Sequence, residues 1–327
     1  MPHRRQWDTP PVRRPPAPII WWQASMRGQA IRRAGPDPEG ELMSTEPLAR
    51  RLWELYEPLH AVTYFAPQAR AAFEGAGLRG FWRGYFAGRA APLGAAAPAP
   101  VTALFFSFAP AMVARALPDV WQRLSPEQAL AARLDGAVAA LRSVLPHEPA
   151  RWAEAADLLE IAAGAAMTDG RALGGANAAL PRPADPLARL WHAATVLREH
   201  RGDGHIAALV DAELSGCQAL ALRDALYGGR ERLQPSRGWT DSEWEVAARA
   251  LHTRGWLDAD GRPTGAGEAA HRAVEDRTDR LAAQPWTALS AGDQARLSHV
   301  LAPLAGAAGA LLPYPNPIGV PRAVAGG

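Results

Sequence analysis

The stretch Gly238–Asp276, GWTDSEWEVAARALHTRGWLDADGRPTGAGEAAHRAVED, decides how the chain is read. Thr240 and Glu243 form an S/T-x-x-E capping box, which starts a helix near Asp241. Trp244, Ala247, Ala248 and Leu251 follow at i, i+3, i+4 and i+7, so this helix has one apolar face. Gly255 stops it. Trp256 and Leu257 begin a short strand, and Asp260-Gly261 is a hairpin-turn pair. Thr264, ahead of Gly265-Ala-Gly267, starts a further helix that runs to about Leu281. The pattern is helix, short hairpin, helix.

The frame around this stretch is helical. A chain of 327 residues can bury two cores. Its apolar fraction is dominated by alanine, with isoleucine scarce, which favours helix over sheet. All 35 basic residues are arginine. Residues 1–42 hold seven of them against four acids, leaving 28 arginines against 29 acids in the remainder. A body so nearly neutral has no general electrostatic pull on nucleic acid. The single cysteine, Cys217, excludes an intrachain disulfide and fits a reducing cytoplasm, with a small core residue as its plainest role. No apolar run reaches the roughly 18 residues of a membrane span. Val101–Leu117 comes closest and contains Pro110 and Arg115. The N-terminal arginines are not followed by a continuous apolar segment, which argues against secretion.

Composition divides the chain into four parts. Residues 1–42 read as a disordered Pro/Arg-rich extension, and Met43 is the better start for a folded protein. Residues 43–230 read as a helical ligand-binding domain and residues 231–290 as the segment built on the stretch above. Residues 291–327 read as a C-terminal helix and flexible tail. In the second part, Leu48, Leu52, Leu55, Tyr56 and Leu59 make a helical stripe. Pro58 should kink or end that helix, leaving His60, Tyr64 and Phe65 in an irregular turn. Leu78–Ala91 places Gly80, Gly84 and Gly88 four apart, a bare ridge that a neighbouring helix or a ligand could fill. Three interior glycines cost a helix roughly 1 kcal/mol each against alanine, so something must pack there. Val101–Phe108 is a strand or a buried helix, which periodicity cannot separate. Thr168–Ala184 is loop-rich. Pro186–His200 is amphipathic, with Leu187, Leu190, Trp191, Ala194 and Leu197 on one face and His192, Thr195 and Glu199 on another. Arg201-Gly-Asp-Gly204 then reads as a turn whose Asp203 caps a new helix at His205.

Two polar groups could carry chemistry. His192, Glu199, His200, Arg201, Asp203 and His205 form the densest constellation, with His192 and Glu199 about 10 Å apart along one helix face. They could line a small-molecule pocket or, in the plainer reading, form a solvated helix end. A metal site is weakly supported, since no H-E-x-x-H or paired-cysteine motif is present. His60 with Tyr64, beside the aromatic Tyr85, could line a second pocket or form an ordinary hydrogen-bonded core. No G-x-S-x-G, Walker loop or dinucleotide fingerprint occurs, so no cofactor and no catalytic residue is assigned.

Four segments also carry a family resemblance: LWELYEPLHAVTYFAP, LRGFWRGYFAGRAAPLG, LWHAATVLREHRGDGHIAAL and GWTDSEWEVAARALHTRGWLDADG. Together they resemble an actinobacterial family of MarR-like helix-turn-helix proteins of unassigned activity. The resemblance implies a mainly α protein, with a multi-helical N-terminal domain followed by a C-terminal winged helix with a small β-hairpin wing. The leading expectation for the chain itself is a ligand-responsive transcription regulator, cytoplasmic and homodimeric, that binds double-stranded DNA and an unknown small-molecule effector. The ligand side of this expectation falls on His60, Tyr64, Tyr85, His192, Glu199, Asp203 and His205. The DNA side falls on Arg237, Arg249, His252, Arg254 and Arg262. Against it, Ser236–Trp286 has seven arginines and nine acids, and Asp241, Glu243 and Glu245 occupy the end of the helix that would meet DNA. The alternative is a small-molecule-binding protein or enzyme that keeps the winged helix for packing or dimerisation.

Overall fold

Prolines and capping side chains set where the helices start. Pro67, Pro98, Pro110, Pro126, Pro149 and Pro186 each open a helix, where a missing N–H costs nothing. Ser125 with Gln128, Ser215 with Gln218 and Thr240 with Glu243 close reciprocal capping boxes. The computed structural model describes residues 47–316 and 318, so the expectation for residues 1–42 and most of the C-terminal tail lie outside the described residues. Within them the helices are α1 (Leu48–Phe65), α2 (Pro67–Gly75), α3 (Phe81–Ala90), α4 (Pro98–Phe105), α5 (Pro110–Ala114), α6 (Pro126–Val144) and α7 (Pro149–Ala165). They continue as α8 (Ala172–Ala178), α9 (Pro186–Asp211), α10 (Gly216–Tyr227), α11 (Arg230–Arg237), α12 (Asp241–Thr253), α13 (Gly265–Ala282) and α14 (Ala291–Gly309). Among the described residues no helix is long and apolar enough to cross a membrane.

Three apolar clusters hold these helices together. The first joins Leu52, Tyr56 and Leu59 of α1 with Trp152 and Leu159 of α7, Leu190 and Trp191 of α9, and Leu297, Leu301 and Leu304 of α14. The second is aromatic, built on Phe73, Phe86, Phe105 and Phe108 with Met112 and Leu117. The third lies under α11 and α12 and joins Leu209, Leu220, Leu233, Trp244, Ala247, Leu251, Leu257 and Val274. Long α9 contributes Leu187, Leu190, Trp191 and Leu197 to the first cluster and Ala208 and Leu209 to the third, so one helix links the two. Helix α13 packs on α9 and α1, and α14 packs on α1.

The expected β-hairpin wing is absent: among the described residues there are no strands, and the winged part of the expected fold class is thereby corrected. Residues 256–264 do turn back, with a single antiparallel bridge between Leu257 and Pro263. The Asp258 amide donates to the Arg262 carbonyl (2.9 Å) and the Thr264 amide to the Trp256 carbonyl (3.0 Å). The arms cannot grow into strands. Pro263 has no N–H for a ladder, the Asp258 carboxylate takes the amides of Asp260 and Arg262, and Thr264 already caps α13.

Two helix breaks expected from the sequence do not occur. Helix α1 runs through Pro58 to Phe65, so His60 and Tyr64 sit on a helix. An interior proline costs about 3 kcal/mol, but Leu59 and Val62 beyond it are fully buried and each gains about 1.5–3 kcal/mol by staying there. Helix α9 likewise runs through Gly202 and Gly204, so the Arg201–Gly204 turn and its Asp203 cap are replaced by continuous helix. Gly204 is needed for contact: a Cβ there would sit 2.7 Å from Nη1 of Arg171. The ambiguous Val101–Phe108 run is helical as far as Phe105, and a short helix, α8, occupies the middle of the loop-rich Thr168–Ala184 stretch. The glycine ridge of α3 is filled in part by Phe73. A Cβ on Gly84 or Gly88 would meet that ring at 3.0 or 2.6 Å, while Gly80 lies before the helix with φ of 92°.

Candidate functional site

Four of the seven residues expected to face a ligand are drawn together where α1, α3 and α9 meet. Glu199 is buried in α9 and receives both arms of the Arg89 guanidinium, Nε to Oε1 and Nη2 to Oε2, each at 3.0 Å. Arg198 adds a third bond, Nη1 to Oε1 at 2.9 Å. Burial alone would raise the Glu199 pKa, but Arg198 and Arg89 outweigh it and hold the carboxyl well below the usual range. Arg89 also donates to the Tyr85 hydroxyl (3.4 Å), so Tyr85 and Glu199 share one guanidinium. Arg198 reaches Glu57 (3.4 Å) and lies over the Tyr64 ring.

His60 completes the group, and its protonation follows from its partners. The Thr195 hydroxyl donates to the Trp191 carbonyl (2.8 Å), which uses its single proton. The contact between Thr195 Oγ1 and His60 Nδ1 (2.9 Å) therefore has the imidazole N–H as donor. Burial, followed by Arg198, pushes the His60 pKa well down, so the ring is neutral and Nε2 is an acceptor. The Tyr64 hydroxyl then donates to Nε2 at 2.9 Å. His60 also stacks on Trp191, with centroids 6.1 Å apart and planes 13° from parallel.

Tyr64 and Tyr85, with ring centroids 5.2 Å apart, open onto a small cleft. Its other walls include Phe73, Leu78 and Phe81, with the Arg70–Glu74 ion pair also lining it. In this conformation the cleft holds about 30 Å³.

The other three expected ligand residues are elsewhere. His192 is half-buried and bonds through Nε2 to the Asn177 carbonyl (3.0 Å). Asp203 accepts from the Gly174 amide in α8 (2.8 Å), and burial raises its pKa to about 6. His205 bonds through Nδ1 to Thr278 of α13 (2.9 Å). These three side chains join α9 to its neighbours, and none of them reaches the cleft lining. Among the described residues no group of three histidine, cysteine or acidic side chains is placed to hold a metal ion. Sequence reasoning missed Arg89, Arg198 and Glu57. Arg198 was legible as Glu199's neighbour, whereas Arg89 is 110 positions away with no local sign of pairing.

Helices α11 and α12 are joined by the short connection Gly238–Thr240. The joint is anchored: Trp239 Nε1 donates to the Ser107 carbonyl (2.9 Å), and the Ala109 amide to the Arg237 carbonyl (2.9 Å). Of the five residues expected to face DNA, Arg237 is buried, its guanidinium 4.7 Å from the Phe108 ring centroid. Arg249, His252, Arg254 and Arg262 are exposed on the second half of α12 and the turn after it. Arg254 is engaged, donating to the carbonyls of Ala212 and Glu213 at the end of α9 (3.1 and 3.0 Å). Arg262 pairs with Asp260 (2.7 Å), and Arg249 lies 3.9 Å from Glu245.

Among the described residues the body is helical, and α11 and α12 have the order of a helix, a short turn and a capped helix. A family model described as a helix-turn-helix family matches residues 49–312, and the chain belongs to that family. No curated protein and no solved structure matches it.

Proposed function

We propose that this protein is a ligand-responsive, MarR-like regulator that binds duplex DNA as a homodimer. The body ahead of residue 231 holds the effector, and α12 with the turn after it faces the duplex. The observation that carries this reading is the anchored α11–α12 pair, with Arg249 and His252 exposed on the second half of α12 and Arg262 exposed on the turn that follows it. Helix-turn-helix proteins usually touch bases with the first residues of the second helix. Here Asp241 is tied to Arg230 and Gln234, and Glu243 to Thr240. The contact is therefore assigned to the second half of α12, where Arg249 and Arg262 have only exposed acidic partners to exchange for phosphates.

The same geometry supports ligand control. Phe108 packs 5.5 Å from Tyr85 at the cleft and lies under the Arg237 guanidinium at the helix-turn-helix joint. A ligand that shifts Tyr85 moves Phe108, and with it the base of α12. The test is recovery of sheared genomic DNA on the purified chain at low and moderate salt. Enrichment of discrete sites is expected, and recovery of no fragment at low salt refutes the reading. The acidic first turn of α12 favours a second reading, a small-molecule-binding protein that keeps its helix-turn-helix for packing. Ligand binding without DNA retention would select it.

A further inference from the structure

We propose that the face shared by α10 and α13 binds a tetrahedral oxyanion of the phosphate class, held by Arg223, Tyr227 and His271 with His205 at its edge. None of these residues lines the Tyr64–Tyr85 cleft, and the site does not depend on the reading above.

Helical spacing brings the residues together. Arg223 and Tyr227 are four apart on α10 and share a face, as do His271 and Glu275 on α13. The two faces meet. The rings of Tyr227 and His271 stand edge to face with centroids 5.5 Å apart, and the charges of Glu275 and Arg223 both act on His271. His205 of α9 joins from the side: its Nδ1 bonds to Thr278, about one turn beyond Glu275, and His271 and Arg223 both act on it.

Arg223, Tyr227 and His271 have no hydrogen-bond or ion-pair partner among the described residues. They are open to solvent without rearrangement. Tyr227 is 64 % exposed, Arg223 and His271 are half-buried, and no nitrogen of either is sealed off. The nearby acids are already engaged. Glu275 pairs with Arg50 (3.0 Å), and Asp279 pairs with Arg50 and Arg201 (each 2.8 Å). Arg272 alongside pairs with Glu268 (3.5 Å), and Arg232 with Glu231. Arg50, Arg201 and Arg223 thus face only two carboxylates, and Arg223 carries the surplus charge. Burial lowers its pKa, and Glu275, beyond ion-pair distance, only partly offsets this.

The missing counterion defines the ligand. Arg223 supplies a fork of N–H donors, and the Tyr227 hydroxyl and the His271 ring one donor each. These donors come from two helices, so four tetrahedral oxygens meet them better than the two oxygens of a planar carboxylate. A cationic ligand would be repelled by Arg223.

The test is calorimetric titration of the full chain with sulfate, inorganic phosphate and acetate at constant ionic strength. One sulfate or phosphate per chain should bind saturably, and more tightly than acetate. Arg223→Gln should weaken binding at least about tenfold, the equivalent of one charge-assisted hydrogen bond. Its melting temperature should not fall, because Arg223 has no partner to lose. Arg272→Gln is the control and should change binding much less, since an exposed charge is screened. No saturable binding of sulfate or phosphate, acetate binding as tightly, or equal losses in Arg223→Gln and Arg272→Gln would overturn the proposal. Duplex DNA then distinguishes the source of the phosphate. Retention lost in Arg223→Gln assigns a backbone phosphate, and retention unchanged assigns a small phosphate-bearing ligand. A chain that retains no DNA at all sinks the regulator and leaves the oxyanion site standing.

Discussion

Replacing Glu199 by Gln tests the buried charge network at the centre of the molecule. Glu199 is 2 % exposed and accepts three guanidinium bonds, two from Arg89 and one from Arg198. An amide of the same shape keeps a carbonyl for the two bonds to Oε1, loses the acceptor at Oε2 and removes the charge that balances both guanidinium groups. Breaking a buried ion pair by removing one partner costs about 3–5 kcal/mol, because the other charge stays buried. For a chain of this size each kcal/mol lowers the melting temperature by about 2–4 °C, so a fall of about 6–20 °C is expected. The matched control is Glu74→Gln, which breaks the exposed Arg70–Glu74 pair (2.8 Å) and should cost less than about 1 kcal/mol. The loss should also depend on acid. A carboxyl whose folded pKa is depressed contributes stability above its unfolded value of 4.5 and loses it as the pH falls toward the folded value. The gap between wild type and Glu199→Gln is therefore full at pH 7 and narrows below about pH 4.5. Urea unfolding followed by tryptophan fluorescence measures it. A cost at pH 7 no larger than that of Glu74→Gln would refute the reasoning.

Two further substitutions read out packing and protonation. Gly88→Ala gains about 1 kcal/mol of helix propensity but sets a Cβ 2.6 Å from Phe73 Cζ, an overpacking worth about 1–3 kcal/mol. A net loss by calorimetry is expected, recovered when Phe73→Leu is added, and a stabilised single variant would show that α2 gives way freely. Asp203→Asn should stabilise the protein at pH 8 and be neutral at pH 4. Burial raises the Asp203 pKa from 3.8 to about 6, so the native state holds its proton more tightly than the unfolded chain, and stability from this group is lost as the pH rises through about 6. Melting temperatures of the two proteins that run parallel from pH 4 to pH 8 would contradict this.

What could be read from the sequence was mostly local. The Thr240–Glu243 capping box and the Trp244–Leu251 stripe involve neighbours within two turns, and the structure has both. The misread elements were decided by distant partners. Two-residue arms around Asp260-Gly261 look like a hairpin, yet Pro263 and the Asp258 carboxylate remove the amides a wing needs. Gly202 and Gly204 look like a turn until Arg171 is seen packed against α9, donating from Nη1 to the His200 carbonyl. His60, Tyr64 and Tyr85 were legible as an aromatic and polar group, but the arginines that organise them come from α3 and α9. Arg237 reads as a surface cation, and only the fold shows it buried against Phe108.

The most direct test of the central claim is DNA affinity against salt, measured by fluorescence anisotropy on a recovered genomic site. For the intact chain, log affinity should fall linearly with log salt. Arg249→Ala and Arg262→Ala should each weaken binding and reduce that slope by about 1, the mark of one lost phosphate contact, while Arg237→Met leaves the slope unchanged. A slope that neither Arg249→Ala nor Arg262→Ala alters would contradict the assignment of this face to DNA.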